Sequence, residues 1–125
     1  MSHKIAVVED NPDNRMLVQA LLEDTYDISE YETGLEAVEG LGDDIPDLVL
    51  LDISLPEMDG TEVLAWIREQ DALKDLPVIA LTAHAMKGEE DKAREAGCDA
   101  FDTKPVDLKR LLVTVEALLK AKGDS

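Results

Sequence analysis

Short, almost continuous apolar runs, separated by segments with helical periodicity, constrain the fold of this chain more than any other feature. The three clearest runs are residues 4–8, 47–51 and 77–81. Such runs are typical of parallel strands that are buried on both faces of a sheet. Residues 27–31 and 99–102 are weaker strand candidates. The pattern predicts an α/β fold in which a doubly wound five-stranded parallel sheet carries helices on both faces.

The segments between the predicted strands have the periodicity and the boundary signals of helices. We expect helices near residues 13–24, 35–41, 60–70, 88–96 and 107–121. The last is the clearest, because one stripe at helical spacing holds Leu108, Leu111, Leu112, Val115, Leu118 and Leu119. Asn11 followed by Pro12 is a good helix start, and Gly97 stands where a helix should end.

The length of 125 residues predicts a single domain that spans residues 1–125. The apolar residues before Glu9 are too few for a signal peptide, and no apolar run approaches the ~20 residues of a membrane-spanning helix. A single cysteine, Cys98, excludes an intrachain disulfide, and we interpret it as a small core residue rather than a redox sensor. These features predict a soluble cytoplasmic protein.

The formal net charge of −17 narrows the classes of partner. A chain this acidic repels DNA, RNA and anionic lipid, so neither a nucleic acid nor a membrane is an expected partner. The acidity either serves solubility alone or is partly concentrated in a cation site. The positions of the acids along the chain distinguish these two interpretations.

Polar side chains fall at the ends of the predicted strands. In open parallel sheets, ligands bind beyond the carboxyl ends of the strands, near the point where strand order reverses. The residues at these ends are Glu9 and Asp10, Asp52, Thr82 and Lys104. Each alone has an ordinary explanation as a loop acid, a capping residue or a surface lysine. Their recurrence at one edge of one sheet favours a shared site.

The residue types at this edge suit phosphoryl transfer. Three carboxylates in one pocket repel one another unless a cation is present. An oxygen-rich site without a His or Cys cluster suits Mg²⁺, with Mn²⁺ as the substitute. Lys104 and the Thr82 hydroxyl are donors that could orient a phosphoryl group, whose transfer needs mainly positioning and charge stabilisation. An aspartate can be the nucleophile, and because it is already anionic it needs no general base.

Four motifs in this order resemble those of a response-regulator receiver domain, and the resemblance covers essentially the whole chain. They are Val8-Glu9-Asp10-Asn11, Leu51-Asp52-Ile53-Ser54-Leu55-Pro56-Glu57-Met58-Asp59-Gly60, Leu81-Thr82-Ala83 and Lys104-Pro105. The second motif is highly specific. The resemblance implies a flavodoxin-like (βα)5 fold and a phosphorylation switch of a two-component system.

The resemblance also implies a role for each site residue. Asp52 would be the phosphoacceptor, and the metal ligands would be Glu9, Asp10, Asp52 and the backbone carbonyl of Ser54. The phosphoryl group would be bound by Thr82 and Lys104.

Three further residues have roles by the same resemblance. Phe101 would act with Thr82 as the conformational switch, although it lacks the hydroxyl of the tyrosine often found there. His84, two residues after Thr82, is a candidate modifier of phosphate lifetime. The resemblance also allows a cis bond between Lys104 and Pro105.

The implied partners are proteins. The phosphodonor would be a histidine kinase or a histidine phosphotransfer protein, and a downstream protein would recognise the phosphorylated state. The domain would catalyse only its own phosphorylation and dephosphorylation, as a monomer or a weak phosphorylation-dependent dimer. The segment after Thr82 resembles stand-alone regulators and the receivers of hybrid kinases, and the start at Met1 favours a stand-alone regulator over a domain of a longer chain.

Three other functions compete with this interpretation. A phosphohydrolase of the haloacid-dehalogenase type would need a second acid where this chain has Ser54. A flavodoxin-like binding module would need hydroxyl or glycine residues in the first loop, where Asp10 and Asp13 would repel a phosphate. A pseudo-receiver that is never phosphorylated would not need all five site residues.

Overall fold

The computed structural model describes residues 3–53, 60–82, 88–103 and 107–123. Strands and helices alternate along these residues, as the apolar runs predict. The strands are β1 (Lys4–Val8), β2 (Asp27–Tyr31), β3 (Leu48–Asp52), β4 (Val78–Thr82) and β5 (Ala100–Thr103). The helices are α1 (Pro12–Leu22), α2 (Gly34–Leu41), α3 (Gly60–Glu69), α4 (Glu89–Ala96) and α5 (Leu108–Gly123). Within the described residues, no helix has the length and apolarity needed to cross a membrane.

The strands form one parallel sheet in the order β2-β1-β3-β4-β5, which confirms the predicted fold class. Strand β1 pairs with both β2 and β3, so the direction of strand succession reverses between β1 and β3. Val8 pairs with Leu51, and Asp52 pairs with Leu81. This register brings the ends of the three central strands to the same level at the point where ligands bind in such sheets.

Apolar side chains on the two faces of the sheet build two separate cores. Leu48 and Leu50 of β3 belong to the core that α1 and α5 cover, whereas Val49 and Leu51 belong to the core under α2 and α3. Burying an aliphatic side chain of this size contributes about 1.5–3 kcal/mol. The central strands are therefore held from both faces, and they give the site a rigid base.

The predicted ends of two helices are confirmed by their capping geometry. The Asn11 side-chain oxygen accepts hydrogen bonds from the backbone N–H groups of Asp13 and Asn14, at 2.8 and 3.2 Å. Such an N-cap contributes about 1 kcal/mol, and it fixes the start of α1 directly after the acidic loop. Gly97 ends α4 with a φ of 110°, a backbone conformation that glycine adopts without steric cost.

The predicted helix α5 is confirmed, and the burial of its apolar stripe differs between the first turn and the rest. Most of the predicted stripe faces the core, with Leu111, Val115 and Leu119 buried, but the side chain of Leu108 is 38% exposed. Leu108 is the first residue of the helix, and the stripe becomes buried only one turn later.

Candidate metal and phosphoacceptor site

Three carboxylates meet at the carboxyl edge of the sheet. Oxygens of Glu9, Asp10 and Asp52 all lie within 4.8 Å of one another. The residues Glu9 and Asp52 are only 3% and 2% exposed, whereas Asp10 is exposed to solvent. The cluster is thus open on one side, where a ligand could enter.

Asp52 is placed by the most buried strand of the sheet. It is the last residue of β3, and every residue of that strand is buried. Val8, the last residue of β1, pairs with Leu51, so Glu9, which directly follows this strand, comes to lie beside Asp52.

Gly60 lets α3 begin against the backbone of Asp52. A Cβ atom at this position would lie 2.3 Å from the Ile53 Cα and 2.5 Å from the Asp52 carbonyl oxygen. Only glycine fits there without a backbone shift. The sequence analysis quoted Gly60 as part of a motif but gave it no role, because this contact depends on the packing of a helix on a strand.

Backbone and side-chain hydrogen bonds orient the acidic loop between β1 and α1. The Glu9 N–H donates to the Tyr31 carbonyl at 3.0 Å, and the Asn11 N–H donates to the Glu9 carboxylate at 3.2 Å. The Arg15 guanidinium donates to the carbonyl oxygens of Glu9 and Asp10, at 2.8 and 3.4 Å. Sequence reasoning missed Arg15, since an arginine in the second turn of a helix carries no signal by itself.

Thr82 lies on β4, the strand beside that of Asp52, and Phe101 lies on β5, one strand further out. Thr82 is the last residue of β4, is fully buried and pairs with Thr103 on β5. The half-buried Phe101 packs against a small apolar cluster that includes Ala80 of β4 and Ala93 of α4. Phe101 therefore belongs to an apolar cluster that residues of β4 and α4 share.

The remaining predicted residues lie outside the described part of the chain. They are Ser54, His84, Lys104 and Pro105. Thr103, the last residue of β5, pairs with Thr82, and residue 104 follows it directly in the chain.

The donor set of the cluster fits a hard divalent cation. It consists of oxygens alone, and two of its three carboxylates are buried, where like charges without a cation are unfavourable. All-oxygen sites suit Mg²⁺ or Mn²⁺, whereas Zn²⁺ and copper ions favour nitrogen and sulfur ligands. Among the residues that the structure describes, this is the one such group of three or more potential ligands.

Cys98 lies outside this site and has the environment of a packing residue. Its half-buried side chain contacts both the α2–α3 core and the small cluster around Phe101. Burial raises the pKa of the Cys98 thiol, so the reactive thiolate is less populated than in an exposed cysteine.

A parallel sheet of this order with three clustered acids at its switch point is the arrangement that the resemblance to a receiver domain implies. Residues 5–116 match the family described as response regulator receiver domain. The chain belongs to this family. It is a receiver domain of a two-component system and therefore a phosphorylation-dependent signalling switch, rather than an enzyme that turns over a separate substrate.

Individual relatives support the same assignment. The polar-differentiation response regulator DivK of Brucella anthropi is 41% identical over 120 residues, which cover 95% of this chain and 98% of that protein. The receiver domain of a histidine kinase from Syntrophus aciditrophicus superimposes with a TM-score of 0.91 at 34% identity, covering 99% of this chain and 95% of that one.

A third relative was solved with a metal ion. The receiver domain of a sensor histidine kinase from Pseudomonas aeruginosa has a TM-score of 0.88 at 30% identity, covering 96% of this chain and 99% of that chain. It holds a magnesium ion in its active-site cleft.

Proposed function

We propose that Asp52 accepts the phosphoryl group, in a reaction that depends on a divalent cation. The observation that carries the proposal is the cluster of Glu9, Asp10 and Asp52 at the strand-order switch. The Asp52 carboxylate attacks the phosphorus atom of a phosphohistidine on the donor protein. An O–P bond to Asp52 forms, and the P–N bond to the histidine ring breaks. The product is an acyl phosphate on Asp52.

The metal in this proposal is Mg²⁺, with Mn²⁺ as a substitute. Its ligands are carboxylate oxygens of Glu9, Asp10 and Asp52, together with the backbone carbonyl of Ser54. When bound, the cation neutralises the negative charge that collects around the phosphoryl oxygens. The oxygen-only donor set supports this choice.

The switch in this proposal runs from Thr82 to Phe101. Thr82 and Lys104 bind oxygens of the new phosphoryl group, which carries about −1.5 to −2 charge. As the Thr82 loop moves inward, Phe101 changes its packing against Ala93 of α4. The shared apolar cluster of Phe101 and Ala93 supports this route.

The output surface is proposed to be the face built by α4, β5 and α5. A groove of about 330 Å³ lies there, and its lining includes Phe101, Asp102 and Arg110. This surface is recognised by a downstream protein, because the net charge of −17 disfavours binding to nucleic acid.

We further propose that the phosphodonor is a histidine kinase or a histidine phosphotransfer protein in the cytoplasm. Residues 1–125 form one receiver domain, which is a monomer or a weak phosphorylation-dependent dimer.

Intact-protein mass spectrometry after incubation with a small phosphodonor tests the proposal. The wild-type protein with Mg²⁺ is expected to gain one phosphoryl group, and Asp52→Asn is expected to gain none. Asp71→Asn is the matched control, because Asp71 is exposed and lies after α3, outside the acidic cluster. Full labelling of Asp52→Asn, or unchanged labelling of the wild type in excess EDTA, would refute the mechanism.

A further inference from the structure

One arginine ties the acidic loop to an edge strand. Arg15 on α1 is largely buried, with 14% of its side chain exposed. Its guanidinium donates to the Glu9 carbonyl at 2.8 Å and to the Asp10 carbonyl at 3.4 Å. On its other side it pairs with Glu30 of β2 at 3.2 Å and with Glu32 at 3.3 Å. A single planar group thus contacts both loop acids through their backbone and is fixed by two further carboxylates.

We propose that Arg15 is a positioning residue for the metal site. It holds the carbonyl groups of Glu9 and Asp10 on the α1 side of the loop, which leaves their carboxylates directed towards Asp52. This inference rests on the proposed function, because it concerns how two of the proposed metal ligands are kept in place before the cation binds.

The loop needs such a support because the sheet holds only one end of it. The Glu9 N–H bonds to Tyr31 at the end of β2, and Asn11 already caps α1. The carbonyl groups of Glu9 and Asp10 between these points are held by the Arg15 guanidinium. Without it, the peptide groups after Glu9 and Asp10 would lose these hydrogen bonds, and the backbone that carries the two acids would be held less tightly, although the Glu9 carboxylate would keep its bond to the Asn11 N–H.

The shape of the guanidinium matters here more than its charge. Glu30 and Glu32 flank it, so the positive charge is offset locally and does not compete with a cation at the carboxylates. Arginine presents its N–H groups in a fixed planar fork, whereas the lysine ammonium is a point charge on a flexible chain. Arg15→Lys therefore keeps the charge and removes the geometry.

The test compares Mg²⁺ binding with folding stability in matched variants. Arg15→Lys and Arg15→Gln are measured beside Arg94→Lys, which alters an arginine of α4 that pairs with Glu90 at 2.7 Å. Isothermal titration calorimetry gives the Kd for Mg²⁺, and urea unfolding in EDTA gives the stability. We expect both Arg15 variants to raise the Kd roughly 10-fold, the usual effect of removing a group that orients a metal ligand. Arg94→Lys should leave the Kd unchanged.

Two further measurements separate positioning from a general loss of structure. In the Arg15→Lys protein, the Mg²⁺ concentration that gives half-maximal phosphorylation should rise with the Kd, while the rate at saturating Mg²⁺ stays near that of the wild type. Amide exchange without metal should accelerate at residues 9–11 and remain unchanged in the central strands. These readouts apply to any variant that still folds.

Three results would overturn the proposal. If the Kd for Mg²⁺ is that of the wild type in Arg15→Lys but is raised in Arg15→Gln, the positive charge of Arg15 alone affects the site. A wild-type Kd in both variants would show that Arg15 has no role at the site. If the wild-type protein itself binds no Mg²⁺, the proposed function fails and this inference fails with it, an outcome distinct from the first two.

Discussion

At the residue scale, the site brings together acids that would avoid one another elsewhere on the surface. Glu9 and Asp52 are buried, and Asp10 lies within 4.8 Å of both at the solvent-facing side. Like charges at this separation repel even when one of them is hydrated. This repulsion is therefore expected to lower the free energy of unfolding of the metal-free protein. A bound cation should offset the repulsion and restore that stability.

The variant Asp10→Asn tests this repulsion. It removes one of three negative charges from the exposed side of the cluster, so the metal-free protein should gain about 1 kcal/mol in the free energy of unfolding. Added Mg²⁺ should stabilise the wild type and have little effect on the variant, because a ligand is lost. Urea unfolding in EDTA and in Mg²⁺ measures both effects. A variant that is less stable than the wild type in EDTA would contradict the account.

At the scale of elements, burial explains which strands the sequence predicts clearly. β1, β3 and β4 lie inside the sheet and are almost wholly buried, so they appear as continuous apolar runs. β2 and β5 are the two edge strands, and their residues are exposed or only half-buried. Their apolar pattern is weak because they are partly exposed to solvent. They pair in parallel like the central strands, so the type of pairing is not the cause.

Within the described part of the chain, the contacts that hold α4 lie mainly in and beyond its C-terminal half. Among the residues of α4 whose burial is described, Ala93 is the one that is fully buried. Beyond the helix, Arg68 of α3 donates to the Gly97 and Leu76 carbonyls, each at 2.6 Å, and pairs with Asp99 at 3.0 Å. The N-cap residue is Gly88, which has no side chain to bond to the helix. Such an arrangement is compatible with the proposed switch, in which α4 responds to phosphorylation.

A pair of glycine variants tests the contact between α3 and the phosphoacceptor strand. Gly60→Ala should destabilise the protein by roughly 1–3 kcal/mol, because its Cβ would overlap the Asp52–Ile53 backbone. Gly42→Ala is the matched control, since a Cβ there meets nothing within 4 Å and the backbone is already helical. It should be neutral or stabilise by about 0.4–1 kcal/mol. Urea unfolding compares the two, and equal effects would show that the close approach at Gly60 is unimportant.

At the scale of the whole molecule, the topology turns scattered residues into one site. Glu9 and Asp52 are separated by a full helix–strand–helix segment in the chain, yet they are neighbours because β1 and β3 pair. The fold class follows from the alternation of apolar runs and helices, and it is confirmed. The clustering of the three acids could be predicted because the carboxyl ends of parallel strands share an edge.

Contacts between side chains and distant backbone could not be predicted in this way. The hydrogen bonds of Arg15 and the approach of Gly60 depend on the angle at which α1 and α3 meet the sheet. The alternation of apolar residues fixes which face of a helix is buried, but it does not fix that angle. The roles of all the site residues stay predictions, and Ser54, His84 and Lys104 also fall outside the described residues.

Coupling across the molecule is tested with Phe101→Ala. If Phe101 relays the change at Thr82 to α4, the variant should be phosphorylated normally but lose most of the phosphorylation-dependent change in amide exchange of α4. The expected coupling is modest, because allosteric free energies are typically ~1–3 kcal/mol. Val113→Ala is the control, since this residue of α5 is 64% exposed. A full response of α4 in Phe101→Ala would exclude this route.

The central claim, that Asp52 is the phosphoacceptor, is tested most directly by reductive trapping. Borohydride reduces an acyl phosphate on aspartate to homoserine, which tandem mass spectrometry can assign to one position of the digested chain. After incubation with a small phosphodonor and Mg²⁺, the account predicts homoserine at position 52 and none in a sample treated with EDTA. Homoserine at another aspartate, or a phosphorylated protein with unmodified Asp52, would contradict it.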